Sequence, residues 1–338
     1  MKKIMMLGMA GTIASEMSPD GLAPELTPEQ LLEAVPEISS ICIPECRELY
    51  SIDSTDITPD HWISLVRTIR ELYEEYDGFV ISHGTDTMAY TAAALSYMIQ
   101  GSKKPVILTG SQKPMYSENT DSKVNLTDAF LCACSGDIHG VNIVFNGRVI
   151  QGTRARKTRS KSFQAFSSIN YPDIAAVRGG RLMTYIRREY LLEPIFSDSL
   201  DANVGLMKLI PAQDFDLLEF LLERKDAVII EGFGVGGLPS YKENRFRSLI
   251  EKYTARGKFV IMTTQVQNEG SDLSVYSVGA PLKDLPNVFE AFDMTSEAVY
   301  AKLLWILGLT RDPAEVRKLF ILPVANDVFR PDTVSGGN

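Results

Sequence analysis

Histidine and cysteine are both scarce in this sequence of 338 residues, which contains three histidines and four cysteines. The cysteines form two close pairs, with the spacings C-x3-C and C-x-C, and no histidine stands at the distance that a zinc site needs. They are Cys42, Cys46, Cys132 and Cys134. We therefore predict reduced structural thiols and no metal centre, and a histidine-based catalytic triad has little to draw on.

Long hydrophobic runs and a surplus of positive charge are also missing. No run approaches the roughly 18 apolar residues of a membrane-spanning helix, and the apolar run from Ile4 to Leu7 is shorter than the roughly 7 to 15 residues of a secretion signal. The net charge is −9, whereas nucleic acids and acidic membranes bind clustered lysine and arginine. We expect a cytoplasmic protein that binds neither nucleic acid nor membrane.

What the sequence does contain is an alternation of short apolar runs with amphipathic helical patterns, which is typical of parallel α/β sheets. In the first half the runs are IMMLG, GFVIS, KPVILTG and VNIVFNG, and RLMTYI is the last predicted strand. Between them, Thr58 and Pro59 open a long helix with an N-cap and a proline at the first helical position. A second alternation runs from VGLMKLI to SEAVYAKLLWILG.

The length predicts two domains, at roughly 100 to 200 residues per domain. We predict an α/β fold with a larger N-terminal catalytic domain, residues 1–186, built on a mostly parallel, doubly wound sheet. Residues 187–203 lose the periodic pattern and are predicted to be a linker. A smaller C-terminal α/β domain is predicted over 204–326, and the polar residues 327–338 are predicted to form a frayed tail.

Polar residues follow three of the predicted strands, at the carboxyl ends where ligands bind in parallel sheets. Taken singly, a threonine or aspartate at such a place could simply cap a helix or a turn. However, a glycine followed by a threonine occurs after two of the strands, and a glycine permits close backbone approach. The candidates are Gly11, Thr12, Gly84, Thr85, Asp86 and Ser111.

A hydroxyl is a weak nucleophile unless a base takes its proton. With no suitable histidine, the base could be a lysine that burial keeps neutral and a carboxylate orients. Lys157, in GTRARKTRSKSF, is the candidate, and its alternative is a solvated position in a basic stretch. A rival motif, G-x-G-x-x-G in EGFGVGG, is weak evidence for a dinucleotide site because the next strand lacks the acidic residue that would hold a ribose.

These segments together resemble the L-asparaginases, specifically the cytoplasmic type I group. The similar blocks are GMAGTIAS, DSTDITPDHW, YDGFVISHGTDTMAYTAAALSYM, VILTGSQKP, GTRARKTRSKSFQAFSSINYP and EGFGVGGLP, in the right order from Lys2 to Phe320. The resemblance implies hydrolysis of L-asparagine to L-aspartate and ammonia, at a site in the N-terminal domain of a homodimer or homotetramer. It calls for no metal and no organic cofactor.

The resemblance also implies roles for individual residues. Thr12 matches the nucleophile that forms an acyl-enzyme, while Thr85, Lys157 and Asp86 match a second, coupled group in which Lys157 accepts a proton from Thr85. Which threonine attacks first stays open. Asp86 would also bind the substrate's α-ammonium group and Ser54 its α-carboxylate. The full predicted substrate-binding set is Gly11, Asp53, Ser54, Thr55, Gly84, Asp86 and Ser111.

Three positions depart from the family pattern. Ala10 adds a methyl group to a block that commonly reads T-G-G-T-I, and Phe292 precedes DMT where the family commonly has glycine. Gly21 is followed by Leu22, where the loop that closes over the substrate usually carries a tyrosine. A leucine can exclude water but cannot form a hydrogen bond, so we expect a lower turnover than in tyrosine-bearing relatives.

Two alternative functions remain. One is the related amidotransferase subunit that releases ammonia for tRNA-linked transamidation, but that subunit carries an extra N-terminal domain, for which this sequence has no room before its first predicted strand at Lys2. The other is a binding protein that recognises asparagine without hydrolysing it. Ammonia release by the purified protein would distinguish them.

Overall fold

The structure, a computed structural model, describes residues 1–9, 11–18, 21–24, 26–187, 193–275 and 279–329. The chain divides into two compact units, Met1–Ser199 and Leu200–Asn338. Each unit is an α/β structure with its own sheet. The finer limits of the predicted domains and linker stay predictions, and residues 188–192 of that linker lie outside the described residues.

The first unit carries its strands and helices in an alternating order. Its strands are β1 (Lys3–Gly8), β2 (Ser15–Ser18), β3 (Gly21–Pro24), β4 (Ile43–Glu48), β5 (Gly78–Ser82), β6 (Ile99–Gln100), β7 (Pro105–Thr109), β8 (Gly140–Phe145), β9 (Arg148–Gln151), β10 (Ala155–Lys157), β11 (Phe166–Ser168), β12 (Ala175–Arg178), β13 (Arg181–Thr184) and β14 (Ile195–Phe196). Its α-helices are α1 (Pro28–Glu33), α2 (Pro59–Leu72), α3 (Met88–Met98) and α4 (Ser122–Cys134).

The main sheet of this unit has eight strands in the order β13-β12-β9-β8-β7-β5-β1-β4. The strands from β4 to β8 in this order run parallel, and β9, β12 and β13 add an antiparallel edge. From β1 the chain passes to β4 on one side and then to β5 on the other. The strand order therefore reverses between β1 and β5, and parallel sheets bind ligands in the crevice outside the carboxyl ends of the strands at such a reversal.

The predicted apolar runs of this unit correspond to β1, β5, β7, β8 and β13. Every residue of β5 and β7 is buried, as expected of central parallel strands. The sequence analysis missed β4, β9 and β12. Asn146 and Gly147, between β8 and β9, both have positive φ, 50° and 68°, which is the geometry of a two-residue hairpin turn.

The opening of α2 confirms its predicted start. Thr58 is the N-cap, with φ −123° and ψ 167°, and Pro59 occupies the first helical position. The backbone N–H of Thr58 donates to His61 Nδ1 at 2.9 Å. The His61 side chain therefore accepts a hydrogen bond from a backbone N–H group at the start of the helix.

The second unit is built on a four-stranded parallel sheet in the order β15-β16-β17-β18. Its strands are β15 (Val204–Lys208), β16 (Ala227–Gly232), β17 (Phe259–Thr264) and β18 (Val288–Glu290). Its helices are α5 (Phe215–Arg224), α6 (Tyr241–Thr254), α7 (Ser296–Leu309) and α8 (Pro313–Ile321). A separate hydrophobic core joins this sheet to α5 and α6. No helix in the described ranges has both the length and the hydropathy needed to cross a membrane.

The predicted frayed tail begins too early in the sequence. Asp327 is completely buried and accepts a hydrogen bond from the Nζ of Lys302, also completely buried, at 2.7 Å. The backbone N–H of Phe329 donates to Asp293 Oδ1 at 2.8 Å. The chain is therefore held in place up to Phe329, because a buried charge pair tolerates no loss of its partner. Residues 330–338 lie outside the described residues.

Candidate active site

Two glycines touch where β1 and β5 end. Gly11 has φ +96°, and a Cβ atom on it would lie 2.3 Å from the backbone nitrogen of Gly84. A Cβ atom on Gly84 would lie 2.5 Å from Ser54 Oγ. Only glycine fits such contacts. The end of β1, the loop from β5 to α3 and the short 3-10 helix Ser54–Asp56 therefore meet at the crevice of the sheet.

Thr85 and Asp86 share one lysine. Lys157 Nζ donates to Thr85 Oγ1 at 2.7 Å and to Asp86 Oδ1 at 2.6 Å. Thr85 is 5% exposed, and the side chains of Lys157 and Asp86 are 18% and 59% exposed. The lysine is thus largely withdrawn from water, while the carboxylate keeps an open side that can meet a ligand.

A short hairpin holds Lys157 in place. Lys157 ends β10 and pairs with Phe166 of β11, and the ring of Phe166 packs on that of Phe145 with a centroid distance of 5.1 Å. Arg148 donates to the carbonyl of Phe166 at 3.2 Å and forms a bidentate ion pair with Asp173, both bonds 2.8 Å long. Because the hairpin is anchored on two sides, Lys157 does not occupy the solvated surface of a basic stretch.

Ser54 is joined to the same loop, but its two neighbours are not. Thr87 Oγ1 donates to the carbonyl oxygen of Ser54 at 2.6 Å, and Ser54 is buried. Asp53 and Thr55 are exposed and pair with each other, since Asp53 Oδ1 accepts from both the backbone N–H and the hydroxyl of Thr55 at 2.8 Å. Their side chains cap the short helix, so the predicted binding role of this pair has less geometric support than that of Ser54.

Ser111 uses its hydroxyl within its own loop. It is completely buried, and its Oγ donates to the carbonyl of Lys113 at 2.5 Å. Asp121 shapes this loop by accepting the backbone N–H groups of Gln112 and Lys113 at 2.9 and 3.0 Å. The sequence analysis overlooked Asp121, because an aspartate directly before α4 reads as an ordinary N-cap.

Thr12 lies at the end of β1 in different surroundings. It opens the 3-10 helix Thr12–Ala14, is half-buried, and precedes the hairpin of β2 and β3. Leu22 pairs with Met17 in this hairpin. Ala10 and the side chain of Leu22 lie outside what the structure describes. The lid prediction and the effect of the extra methyl group therefore stay predictions.

His83 is buried directly before Gly84. Burial lowers the pKa of its imidazole to about 4, since desolvation disfavours the charged ring. At neutral pH the side chain is therefore uncharged. Its ring atoms contact Gly84 and Thr91, and neither contact is with the hydroxyls of Thr12 or Thr85.

The two sequence features of the second unit are also located. The loop after β16 folds back on the strand end, so a Cβ atom on Gly232 would lie 2.7 Å from the carbonyl carbon of Gly236. The glycines thus form a tight backbone turn, and the next helix after β16, α6, begins only at Tyr241. Phe292 has φ 51°, a conformation that favours glycine. The family's preferred glycine therefore has a backbone explanation.

No group of three or more histidine, cysteine, aspartate or glutamate side chains in the described part of the chain is arranged to hold a metal ion. The geometry instead combines a buried hydroxyl, an amine and a carboxylate at a sheet crevice. A buried hydroxyl beside an amine and a carboxylate with an exposed side is a combination of groups suited to acyl transfer.

Comparison with protein families gives a match to each half of the chain. Residues 3–190 match the family model described as Asparaginase, N-terminal, and residues 203–320 match the Glutaminase/Asparaginase C-terminal domain. These matches define the class of the protein as an amidohydrolase. The chain belongs to the asparaginase family.

Individual relatives cover nearly the whole chain. An L-asparaginase of Thermococcus kodakarensis is 39% identical over 331 residues, which are 96% of this chain and 99% of the relative. A subunit of the glutamyl-tRNA(Gln) amidotransferase of Pyrococcus furiosus is 34% identical over 96% of this chain and 76% of the relative. The solved structure of the thermostable L-asparaginase from Thermococcus kodakarensis superposes with a TM-score of 0.90, at 38% identity, over 97% of this chain and 100% of that chain.

Proposed function

We propose that the protein is an L-asparaginase that hydrolyses L-asparagine to L-aspartate and ammonia through a threonine nucleophile. The observation that carries the proposal is the bridge from Lys157 to Thr85 and Asp86, next to the contact between Gly11 and Gly84. Thr12 directly follows Gly11, and Thr85 directly follows Gly84. Both hydroxyls therefore belong to segments that meet at the crevice.

In the proposed reaction, the Oγ of Thr12 attacks the carbon of the side-chain amide. The hydroxyl proton passes through the Thr85 and Lys157 group to the amide nitrogen, the carbon–nitrogen bond breaks, and ammonia leaves an acyl-enzyme. Water then attacks the ester carbon, the bond from that carbon to the Oγ of Thr12 breaks, a proton from the water goes to this Oγ, and aspartate is released. The reverse assignment, with Thr85 attacking first, is the alternative that trapping experiments decide.

Asp86 connects substrate binding to this proton transfer. Its exposed carboxylate would bind the α-ammonium group of asparagine, and Ser54 with nearby backbone N–H groups would bind the α-carboxylate. In the free protein the same carboxylate pairs with Lys157 at 2.6 Å. When substrate is present, its α-ammonium group would share the Asp86 carboxylate with Lys157. Only an unprotonated amine can then accept a proton from Thr85.

The relatives support an asparaginase over the amidotransferase subunit. The chain matches an L-asparaginase over 99% of that protein's length, but the amidotransferase relative over 76% of its length. A non-hydrolytic binding protein would need the carboxylate and Ser54 but would have no use for Lys157 beside a buried hydroxyl. We further propose a cytoplasmic homodimer or homotetramer without a metal or organic cofactor, as the type I resemblance implies.

The test is ammonia release from L-asparagine by the purified protein, with L-glutamine as a second substrate and light scattering to measure the mass in solution. We expect ammonia and aspartate in equal amounts. Binding of L-asparagine in calorimetry without ammonia release would instead identify a binding protein. Release that requires an added amidotransferase partner protein would identify the second alternative.

A further inference from the structure

The imidazole of His83 lies between the loop after β5 and the interior of the first unit. His83 is 1% exposed, and its backbone N–H donates to the carbonyl of Thr109 on the neighbouring strand at 2.9 Å. Its Nδ1 lies 2.7 Å from the carbonyl oxygen of Gly84, and its Nε2 lies 2.9 Å from Thr91 Oγ1. Trp62 Nε1 in turn donates to Thr91 Oγ1 at 2.9 Å.

These contacts determine which ring nitrogen carries the proton. A carbonyl oxygen can only accept, so Nδ1 must donate to Gly84. A neutral imidazole then has an unprotonated Nε2, which accepts the hydroxyl proton of Thr91. The hydroxyl oxygen of Thr91 is left to accept the indole N–H of Trp62. The hydrogen bonds of this row of side chains therefore all donate in one direction, from Trp62 in α2 through Thr91 in α3 and then His83 to Gly84 in the loop after β5.

The Gly84 carbonyl belongs to the peptide group that carries the N–H of Thr85. Because a peptide group is planar, a hydrogen bond that fixes this oxygen also fixes the direction in which Thr85 leaves the loop. The other side of Gly84 is held by Gly11 and Ser54. The Gly84–Thr85 peptide is thus held on two sides, by Gly11 and Ser54 on one side and by the imidazole of His83 on the inner side.

We propose that His83 is a positioning residue for the proposed reaction, acting as a neutral Nδ1–H donor that holds the Gly84–Thr85 peptide in place while Trp62 and Thr91 fix its tautomer. This inference rests on the proposed function for its catalytic consequence. The tautomer itself does not depend on that function. We call the hydrogen bonds from Trp62 through Thr91 to His83 the relay. A buried histidine that only fills space would need neither this relay nor a particular protonated nitrogen.

Two substitutions of similar polarity separate the contacts. In His83→Asn the side-chain amide reaches the place of Nδ1 and can still donate to Gly84. In His83→Gln the amide reaches toward Thr91 and leaves Gly84 without its donor. Since misplacement by about 1 Å costs about 100-fold in rate, we expect kcat of His83→Gln to lie about 10- to 100-fold below that of His83→Asn, with similar unfolding midpoints and little change in KM.

Nitrogen NMR tests the tautomer independently of activity. The chain has only three histidines, so the spectrum is simple to assign by single substitutions. We expect His83 to show a protonated Nδ1 and an unprotonated Nε2 at neutral pH. Thr91→Val should keep Nδ1 protonated, because the Gly84 carbonyl still accepts from it, but should shift the Nε2 resonance because its hydroxyl donor is lost, whereas the matched control Thr91→Ser should preserve the wild-type pattern.

The outcomes keep this inference distinct from the proposed function. An active wild-type protein whose Asn and Gln variants at position 83 have equal kcat would overturn the positioning role. An Nε2-protonated wild-type ring would overturn the relay. An inactive wild-type protein with the expected tautomer would instead refute the proposed asparaginase function and leave the relay standing.

Discussion

The two threonines stand at corresponding places after neighbouring strands, but their surroundings differ. Thr85 is buried, receives a hydrogen bond from Lys157, and follows a glycine whose carbonyl lies 2.7 Å from His83 Nδ1. Thr12 is half-buried at the start of a 3-10 helix, and the hairpin β2–β3 follows it directly. Thr85 is thus enclosed by the protein, whereas Thr12 is partly exposed and precedes the hairpin.

This difference suggests a division of labour. A group that handles protons benefits from burial, because a low-dielectric setting strengthens its coupling to the lysine and carboxylate. A group that attacks a substrate has to meet that substrate and therefore cannot be enclosed by the protein. We accordingly assign attack to Thr12 and proton handling to Thr85.

Removing either hydroxyl should have the largest effect. Members of a coupled catalytic unit typically cost several powers of ten in rate when one is deleted, so we expect Thr12→Ala and Thr85→Ala each to lower kcat by at least about 1000-fold. Ammonia release measures this. Near-wild-type turnover in either variant would contradict the two-threonine scheme.

Covalent trapping then distinguishes the two roles. With an electrophilic asparagine analogue, mass spectrometry of the digested protein should place the adduct on the peptide that contains Thr12. The Thr85→Ala variant should still form this adduct slowly, whereas Thr12→Ala should not. An adduct on Thr85 would reverse our assignment.

Replacing Lys157 should have the next largest effect. Lys157→Met removes the proton acceptor, and general acid–base groups typically contribute about 100- to 10,000-fold. Lys157→Arg is the matched control, because arginine keeps the charge and the donors but stays protonated. We expect both variants to lose kcat and retain asparagine binding in calorimetry. An active arginine variant would reduce Lys157 to an electrostatic role.

The fold was largely predictable because its central strands are buried at every position and mostly apolar. β5 and β7 are buried throughout, and such strands are recognised by composition alone. The sequence analysis missed β4 because this strand lies at the sheet edge and reads IPECRE, with no buried residue. It also missed β9, although Asn146–Gly147 is a strong hairpin signal. A short edge strand such as β4 carries few apolar residues, and its pairing depends on a partner distant in sequence, β1.

The candidate site was predictable where its residues are contiguous. Thr85 and Asp86 follow a recognisable strand, whereas the distance of 2.7 Å from Lys157 to Thr85 spans 72 residues and could be anticipated only through the family resemblance. The row from Trp62 to His83 was not predicted, since it joins three elements. Asp53 and Thr55 pair with each other through their side chains, and their predicted binding role, which rested on adjacency to Ser54, stays a prediction.

Adding a hydroxyl at position 22, in the hairpin that follows Thr12, should have a smaller effect on kcat. If the family's lid tyrosine acts through its polar group, Leu22→Tyr should raise kcat, and a hydrogen bond worth about 1 to 3 kcal/mol sets the scale at about 10- to 100-fold. Leu22→Phe is the control that adds the ring without the hydroxyl. Equal kcat in the two aromatic variants, or no gain over wild type, would show that another residue supplies the hydroxyl or that Leu22 does not occupy the tyrosine's place.

Substitution of Gly84 or Gly11 by alanine should have the smallest and most local effect. Gly84→Ala places a methyl group 2.5 Å from Ser54 Oγ and 2.6 Å from Ser54 Cβ, and such overpacking costs about 1 to 3 kcal/mol in the free energy of unfolding. Ser54→Gly removes both atoms, so the double variant should recover part of that loss. Gly11→Ala should not be rescued by Ser54→Gly, because its methyl group would meet the backbone of Gly84 at 2.3 Å and its φ is +96°. Denaturant unfolding of the wild type, Gly84→Ala, Ser54→Gly and their double variant measures the coupling energy between positions 84 and 54, and the same cycle with Gly11→Ala is the comparison. Equal rescue of both alanine variants would mean that the loop yields as a whole, and the close contact between the threonine segments would then not be a fixed feature of the site.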